Sequence, residues 1–365
     1  MTANGPHRPL IIGGGPAGSA AAIMLAHGGA SPRLIERARE TGDTLCGGFL
    51  SWQSLERLKD CGIDEAALGG QRITKVRIYC DGHIATANLP LPGVGVSRRR
   101  LDTLLLARAE QAGASVERGV RIIRIDPGFA QTADGATLTS AAIFLATGKH
   151  AITDHPRIPP ARAAKDPVVG LRQRLSASVA LDHLIGDAVE LFLFDRGYLG
   201  LVRQEDGSAN FCLAVHKSRL GEAGGRPEIL FAEWGKECSA LGERLAAGSA
   251  VGPIDAIAAI PYGWMARTGT AGLWRLGDQA ASIPSLAGEG MGVALASGVS
   301  AARAWLGGTD AQNWQQGFAT TVAGPMRTAR AAWAIAENPR LNGPATACLR
   351  RMPVLVDMLA RLTRV

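Results

Sequence analysis

Aromatic residues make up only 5% of the 365-residue chain, and three of them are tyrosines. A nucleic-acid-binding surface interleaves aromatics with a concentrated basic stripe. Here the longest basic run is Arg98-Arg99-Arg100. The net charge of +7, most of it arginine, therefore reads as a solvated surface with an anionic cofactor or substrate, and no nucleic acid is expected as partner. The six cysteines (46, 61, 80, 212, 238 and 348) contain no C-x-x-C pair, and the seven histidines show no ligand spacing. That pattern speaks against a zinc site and against a disulfide framework. Long apolar runs are also missing: Ala20 to Ala26 is too short to span a bilayer. Met1 to Pro6 lacks the charged and apolar regions of a signal peptide, so a cytoplasmic location is expected. With 47% hydrophobic and 19% charged residues, the chain has an ordinary globular balance and the length for two joined domains.

What is present begins with glycine. Gly13-Gly14-Gly15-Pro16-Ala17-Gly18 follows the apolar run Leu10-Ile11-Ile12 and opens an Ala-rich segment. The G-x-G-x-x-G spacing at a strand-to-helix junction assigns Gly13 to a tight turn. It leaves Gly15 free of a side chain that would hold off a pyrophosphate, and lets Gly18 bring helix and sheet together. Pro16 and Ala17 lie at the helix N-terminus, where free N–H groups and a partial positive charge face the phosphates. Glu36, eighteen residues beyond Gly18 and at the end of a second strand (Pro32 to Ile35), has the spacing of a carboxylate on a ribose hydroxyl; the neighbouring Arg37 is counted with it. Strand, helix and acidic partner together point to a bound adenine dinucleotide.

The rest of the chain organises around that unit. An amphipathic helix is expected near Ser54 to Lys59. Ile73 to Tyr79 and His83 to Leu89 read as a hairpin across Asp81-Gly82, with a break at Pro90 and Pro92. A helix over Leu101 to Gln111 and strands over Val116 to Ile125 and Ala141 to Ala146 return to the nucleotide fold. His155 to Pro167 reads as a crossover. Val168 to Pro261 is mainly strand, an antiparallel substrate sheet, with Gly221 to Gly225 as a flexible connection. A strand at Leu273 to Leu276, a helix near Gly290 to Leu306 and helical final residues complete the pattern. The expected domains are 1–75, 96–155 and 265–310 for the cofactor, 76–95 and 156–264 for the substrate sheet, and 311–365 as a helical region.

A second anchor sharpens the cofactor. Gly277-Asp278, then Pro284, then Gly288-Glu289-Gly290-Met291 place a strand end beside a glycine-rich helix start. Asp278 is suited to accept from polyol hydroxyls, and the helix start to set amides and dipole beside a ring that becomes anionic on reduction. NAD needs the first anchor alone; FAD uses both.

Here the chain resembles the p-hydroxybenzoate hydroxylase and geranylgeranyl reductase superfamily of flavoproteins. Arg98 to Asp102 matches its R-x-x-x-D stretch, with Arg98 at the FAD-contacting position, and Gly277-Asp278 with Gly288 to Met291 matches its second FAD motif. Cys46-Gly47-Gly48 is similar to the C-x-G-G loop of the reductase branch, which implies a cysteine near the flavin. The resemblance implies an α/β (α+β) fold: a Rossmann-like FAD-binding domain of the glutathione-reductase type, an antiparallel substrate sheet and C-terminal helices. Two departures stand out. Ala146-Thr147-Gly148-Lys149-His150 replaces the hydroxylases' Ala-Asp-Gly-x-x-Ser, and Tyr198 to Arg203 keeps only the tyrosine of the reductases' aromatic Y-x-W-x-F-P stretch. No W-x-W-x-I-P stretch of a flavin halogenase is present.

The expected activity is that of an FAD-dependent, NAD(P)H-reduced monooxygenase acting on an aromatic or hydrophobic, polyketide-like small molecule of secondary metabolism. The alternatives are reduction of a carbon–carbon double bond, with Cys46 near the flavin, and a flavin carrier or sensor without turnover. Cys46 reads either as a group shaping the pocket or relaying a proton, or as a small buried thiol. Trp52, Tyr198 and Trp264 are the aromatic candidates for a substrate cleft, against ordinary core packing. The segment from Pro353 is amphipathic and basic; it reads as a helix covering the substrate domain, or as one touching a membrane surface.

Overall fold

The computed structural model describes residues 8–150, 156–157 and 165–365. The N-terminal residues Met1 to Pro6 and most of the crossover at His155 to Pro167 lie outside the described residues.

Three sheets organise the described residues. The first is five-stranded and parallel, in the order β16-β10-β1-β2-β6. It is built from β1 (Leu10–Ile12), β2 (Arg33–Glu36), β6 (Ser115–Arg118), β10 (Ile143–Leu145) and β16 (Leu273–Arg275). Every residue of β1 and β10 is buried, as expected of short apolar strands covered on both faces. A three-stranded antiparallel sheet joins β7 (Ile122–Asp126), β8 (Phe129–Thr132) and β9 (Thr137–Thr139). The third sheet has eight strands in the order β15-β11-β14-β13-β12-β4-β5-β3. Its members are β3 (Phe49–Leu50), β4 (Gln71–Cys80), β5 (His83–Gly95), β11 (Val168–Leu175), β12 (Ala188–Phe194), β13 (Gly197–Arg203), β14 (Ala209–His216) and β15 (Ala250–Ile257).

Among the described residues the helices in chain order are α1 (Pro16–His27), α2 (Trp52–Asp60), α3 (Glu65–Leu68), α4 (Arg98–Gln111), α5 (Val179–Ile185), α6 (Lys217–Glu222), α7 (Pro227–Glu237), α8 (Ser239–Ala247), α9 (Gly290–Leu306), α10 (Ala311–Ala336), α11 (Asn342–Arg351) and α12 (Val354–Leu362). Helix α1 packs against α4 and α9, and α11 and α12 both lie on β5.

Strand β12 shows how the large sheet positions a site. Its residues alternate between faces with period two. Ala188, Glu190, Phe192 and Phe194 are buried on one side, while Val189, Leu191 and Leu193 are half-buried on the other and line a cavity. On the buried side the core is aromatic: Phe192 stacks on Tyr79 at 4.5 Å and Phe194 on Trp234 of α7 at 4.3 Å. Beneath them lies a buried polar cluster. Arg244 of α8 donates through Nε to Glu190 Oε2 (2.8 Å) and through Nη2 to Oε1 (2.9 Å) and to the Tyr79 hydroxyl (3.0 Å). Tyr79 and Arg77 also donate to Glu190 Oε1, at 3.0 and 2.6 Å.

Several expectations need correction. Pro90 and Pro92 do not end the second hairpin strand; β5 runs on to Gly95. Its register shifts there, with Asn88 opposite Lys75 and Gly93 opposite Ile73, so the prolines occupy extra residues that owe no ladder hydrogen bond. Val116 to Ile125 is two strands in two sheets, separated at Gly119 (φ +79°). The substrate sheet is antiparallel at every pairing except β12 with β4. The boundary at residue 75 falls inside β4, and β3 also joins the large sheet. Gly221 lies in α6, so the segment after β14 starts as helix.

A polar latch ties the large sheet to the helical region. His216, at the end of β14, pairs through Nε2 with Glu337 Oε2 just beyond α10 (2.9 Å) and through Nδ1 with the Asp166 carbonyl (2.9 Å). The hydrogen bond to Glu337 raises the His216 pKa above its ordinary value, against the opposing effect of burial. A raised folded-state pKa adds stability that is fully present below the unfolded histidine value of about 6.5 and is lost as pH rises through the folded value. Thermal melts across that window should therefore show wild type exceeding His216→Asn at acidic pH, with the gap narrowing as pH rises. A gap independent of pH would contradict the latch.

Candidate active site

The glycine loop joins β1 to α1. Gly13 has φ +107°, and a Cβ there would lie 2.4 Å from the Ala146 carbonyl oxygen on β10's exit. A Cβ on Gly18 would sit 1.9 Å from the Gly13 carbonyl oxygen. Both glycines are thus required by the fold. Gly15 differs: its backbone is ordinary extended (φ −72°), and a Cβ would meet only the Arg98 guanidinium, at 3.4 Å. The space in front of it is open. Helix α1 begins there with Pro16 and without a side-chain cap, leaving N–H groups free.

Glu36 holds this loop. Its Oε2 accepts from the Gly14 N–H (2.6 Å) and its Oε1 from the Ala38 N–H (2.8 Å). Arg37 donates to His150 Nε2 at 2.5 Å. Burial, then the cations Arg37, Arg157 and Lys149, lower the His150 pKa and keep the ring neutral and able to accept.

Helix α4 is capped by Ser97, whose Oγ accepts from the Arg100 N–H (3.1 Å), and it places Arg98 beside Gly15. The guanidinium forms a fork with Asp102 one turn on, at 2.9 and 2.7 Å. Burial opposes the Arg98 charge, yet the Asp102 carboxylate outweighs it and the pKa rises above the ordinary arginine value. A positive charge is therefore fixed between the loop and the second anchor.

That anchor begins at Gly277 (φ +56°), in the 3-10 turn Gly277–Gln279. Asp278 stands 3.8 Å from Lys149 Nζ. Gln279 Nε2 donates to the Thr147 hydroxyl (3.0 Å) and to the Gly148 and His150 carbonyls (both 2.9 Å), tying the second anchor to the turn that follows β10. After Pro284, which is buried, Gly288 turns at φ +63° into α9, whose first residues are Gly290 and Met291. The turn is held from below by a residue far along the chain. Arg364 donates to the Ala287 and Gly288 carbonyls (3.1 and 3.3 Å) and pairs with the buried Glu289. Burial keeps the Glu289 carboxyl above the usual carboxylate range even with that guanidinium beside it.

Cys46, half-buried, faces the cavity from a loop held by Asn210, whose Nδ2 donates to the Cys46 and Gly47 carbonyls (3.0 Å each). Tyr198 lines the same cavity, with its ring edge-on to Trp333 at 5.4 Å. Tyr262, which sequence reasoning passed over, sits beside it; its hydroxyl bonds Ser285 Oγ at 2.6 Å. Burial raises both phenol pKa values, so both stay protonated at neutral pH. The two tryptophans expected at the cleft are elsewhere. Trp52 lies under the Arg364 guanidinium at 5.3 Å, and Trp264 is half-buried in the loop that pairs with Ser282; neither lines the cavity. Gln279, Asn210 and Arg364 also escaped notice, since an isolated polar residue carries no spacing signal.

Two cavities meet at this site. One, of about 500 Å³, is bordered by Gly13 to Gly15, Glu36, Arg37 and His150. The other, of about 680 Å³, runs from Gly15, Cys46 and Gly288 into an apolar chamber between the large sheet and α10–α12. They share Gly15, Arg98, Ala146, Gly148, Lys149 and Asp278, and so form one trough. No group of three or more His, Cys, Asp or Glu placed to hold a metal ion occurs among the described residues.

Residues 8–150 match the FAD binding domain family. The chain is 31% identical over 160 residues to the protein FixC of Salmonella typhi, covering 39% of this chain and 37% of that one. It is 32% identical over 155 residues to an uncharacterised protein of Methanosarcina barkeri, covering 39% and 75%. It is 35% identical over 118 residues to the chloroplastic geranylgeranyl diphosphate reductase of rice (Oryza sativa subsp. japonica), covering 31% and 24%. The match thus takes in little more than a third of FixC and less of the rice enzyme. Among solved structures, the halogenase PltM superposes with a TM-score of 0.76 at 14% identity over 93% of this chain and 78% of that one. A geranylgeranyl bacteriochlorophyll reductase-like protein of Thermoplasma acidophilum gives 0.74 at 20% identity, over 98% and 92%. At those identities the structural likeness is one of fold. Residues 8–150 thus carry an FAD-binding domain, and the chain as a whole has the fold of these proteins.

Proposed function

We propose that FAD lies along the trough and that the enzyme is an NAD(P)H-dependent monooxygenase of an apolar, aromatic small molecule. The residues present fit the cofactor. The open space at Gly15 takes a pyrophosphate that any Cβ would crowd, and the fixed charge of Arg98 complements it. Glu36 and Arg37 border the adenosine end, Asp278 the middle, and Gly47, Gly288, Gly290 and Met291 the flavin end. When bound, FAD supplies electron transfer from the nicotinamide to O2 or substrate.

The observation that carries the reading is the apolar chamber opening directly from the flavin end. Val76, Val189, Leu191 and Leu213 present hydrocarbon there, which excludes water from the reacting centre and binds an apolar molecule by desolvation. The neutral hydroxyls of Tyr262 and Ser285 are placed to hydrogen-bond a phenolic group and fix which ring carbon is presented. Cys46 at the chamber mouth, together with the rice relative, favours the second reading, reduction of a carbon–carbon double bond.

NAD(P)H oxidation by the FAD-loaded protein, followed with alkylphenols and with polyprenyl substrates in air and under strict anaerobiosis, separates the readings. Oxygen-dependent formation of a hydroxylated product is expected. Full substrate turnover without O2 would instead establish the reductase, and in that event Cys46→Ser should slow it. Absence of turnover with either substrate class would leave a flavin carrier or sensor.

A further inference from the structure

The roof of the apolar chamber has an outer face that its inner face does not explain. Helix α12 turns Val356, Leu359 and Ala360 toward the chamber. On its other side Val354, Met358 and Leu362, each four residues apart, form one stripe and are 65%, 47% and 51% exposed. Met352, 48% exposed, extends the apolar run at the helix start. A helix that is apolar on both faces needs a second apolar environment.

The charges nearby identify it. From Asn338 to Val365 the chain carries five arginines and one acidic residue, Asp357. Arg340, Arg350, Arg351 and Arg361 are exposed, and Asp357 is engaged by Arg361 at 2.9 Å. Exposed hydrocarbon flanked by arginine is the arrangement of a helix lying in the interface of an anionic bilayer, with its apolar stripe among the acyl chains and its cations at the headgroups. No helix among the described residues is long and apolar enough to cross a membrane, so the contact is a surface one.

We propose that α12 docks the protein on an anionic lipid surface and that the apolar substrate passes from that surface to the chamber beneath the same helix. The delivery step, though not the docking, rests on the apolar-substrate reading above.

The test uses FAD-loaded full-length protein and vesicles of phosphatidylcholine with or without phosphatidylglycerol, separated by flotation. Binding to the phosphatidylglycerol vesicles is expected, weakening with salt. The triple variant Val354→Glu/Met358→Glu/Leu362→Glu should lower partitioning at least about tenfold, and Arg350→Glu/Arg351→Glu should remove the preference for anionic vesicles. Because these side chains are exposed, flavin content and melting temperature should match wild type. Docking is overturned if wild type ignores both vesicle types, if the triple variant floats as wild type does, or if light scattering shows a stable dimer that the triple variant dissolves. A wild-type protein that does not dock yet turns over a detergent-dispersed alkylphenol sinks this proposal alone. Intact docking with no turnover sinks the functional reading alone.

Discussion

Gly15→Val is expected to give a folded protein that has lost its flavin. The substitution needs no forbidden backbone angle, and its Cβ would meet only the end of Arg98. The melting temperature of the apoprotein should therefore stay within roughly 2 °C of the wild-type apoprotein. The side chain would fill the space proposed for the pyrophosphate, and FAD affinity should fall on the order of a hundredfold, about 3 kcal/mol. Gly18→Val provides the contrast. Its Cβ would sit 1.9 Å from the Gly13 carbonyl oxygen, so stability and flavin should be lost together. Equilibrium FAD binding with parallel melts reads both. Retained FAD affinity in Gly15→Val would place the cofactor somewhere other than the trough.

The second large effect is one of stability. Arg244→Met removes the guanidinium that satisfies both oxygens of Glu190, whose side chain has no exposed surface. Breaking one side of a buried pair typically costs about 3–5 kcal/mol, because the remaining charge stays buried without its full set of partners. Denaturant unfolding should show that loss. The double variant Arg244→Met/Glu190→Leu should recover at least half of it, since an apolar pair leaves no stranded carboxylate. A double variant weaker than Arg244→Met would mean that Tyr79 and Arg77 depend on Glu190 more than the pair geometry implies.

The sequence was most legible where structure is decided locally. β1, the glycine loop, α1 and β2 follow from one apolar run, a fixed glycine spacing and an acidic residue, all within thirty residues, and the helix at Gly290 to Leu306 starts at the glycine-rich turn that announced it. Signals that depend on register were harder. Pro90 and Pro92 act as breakers only if they owe hydrogen bonds, and the shift between Ile73 and Lys75 frees them of that obligation. The small sheet β7-β8-β9 turns at Gly128 and Gly135, both with positive φ; Pro127-Gly128 and Asp134-Gly135 are the local turn signals there.

The aromatic residues of the site could not be ranked from sequence. Trp52 begins α2 and Trp264 lies in a loop, so neither has a periodic face to declare what it touches. What moved Trp52 out of the cleft is Arg364, 312 positions later in the numbering, folding back over its ring. Tyr262 enters the cleft because the loop before β16 brings it against Ser285. Such choices are made by packing between distant segments, which spacing along the chain does not encode. The same holds for the chamber itself: alternation in β12 announces two faces, but not that α10–α12 stand off from one of them.

The measurement that bears most directly on this account is the flavin content of the purified chain, released by denaturation and quantified after incubation with FAD and removal of the excess. FAD is expected equimolar with protein, held without a covalent bond and lost in Gly15→Val. A folded wild-type protein that retains no FAD would contradict it.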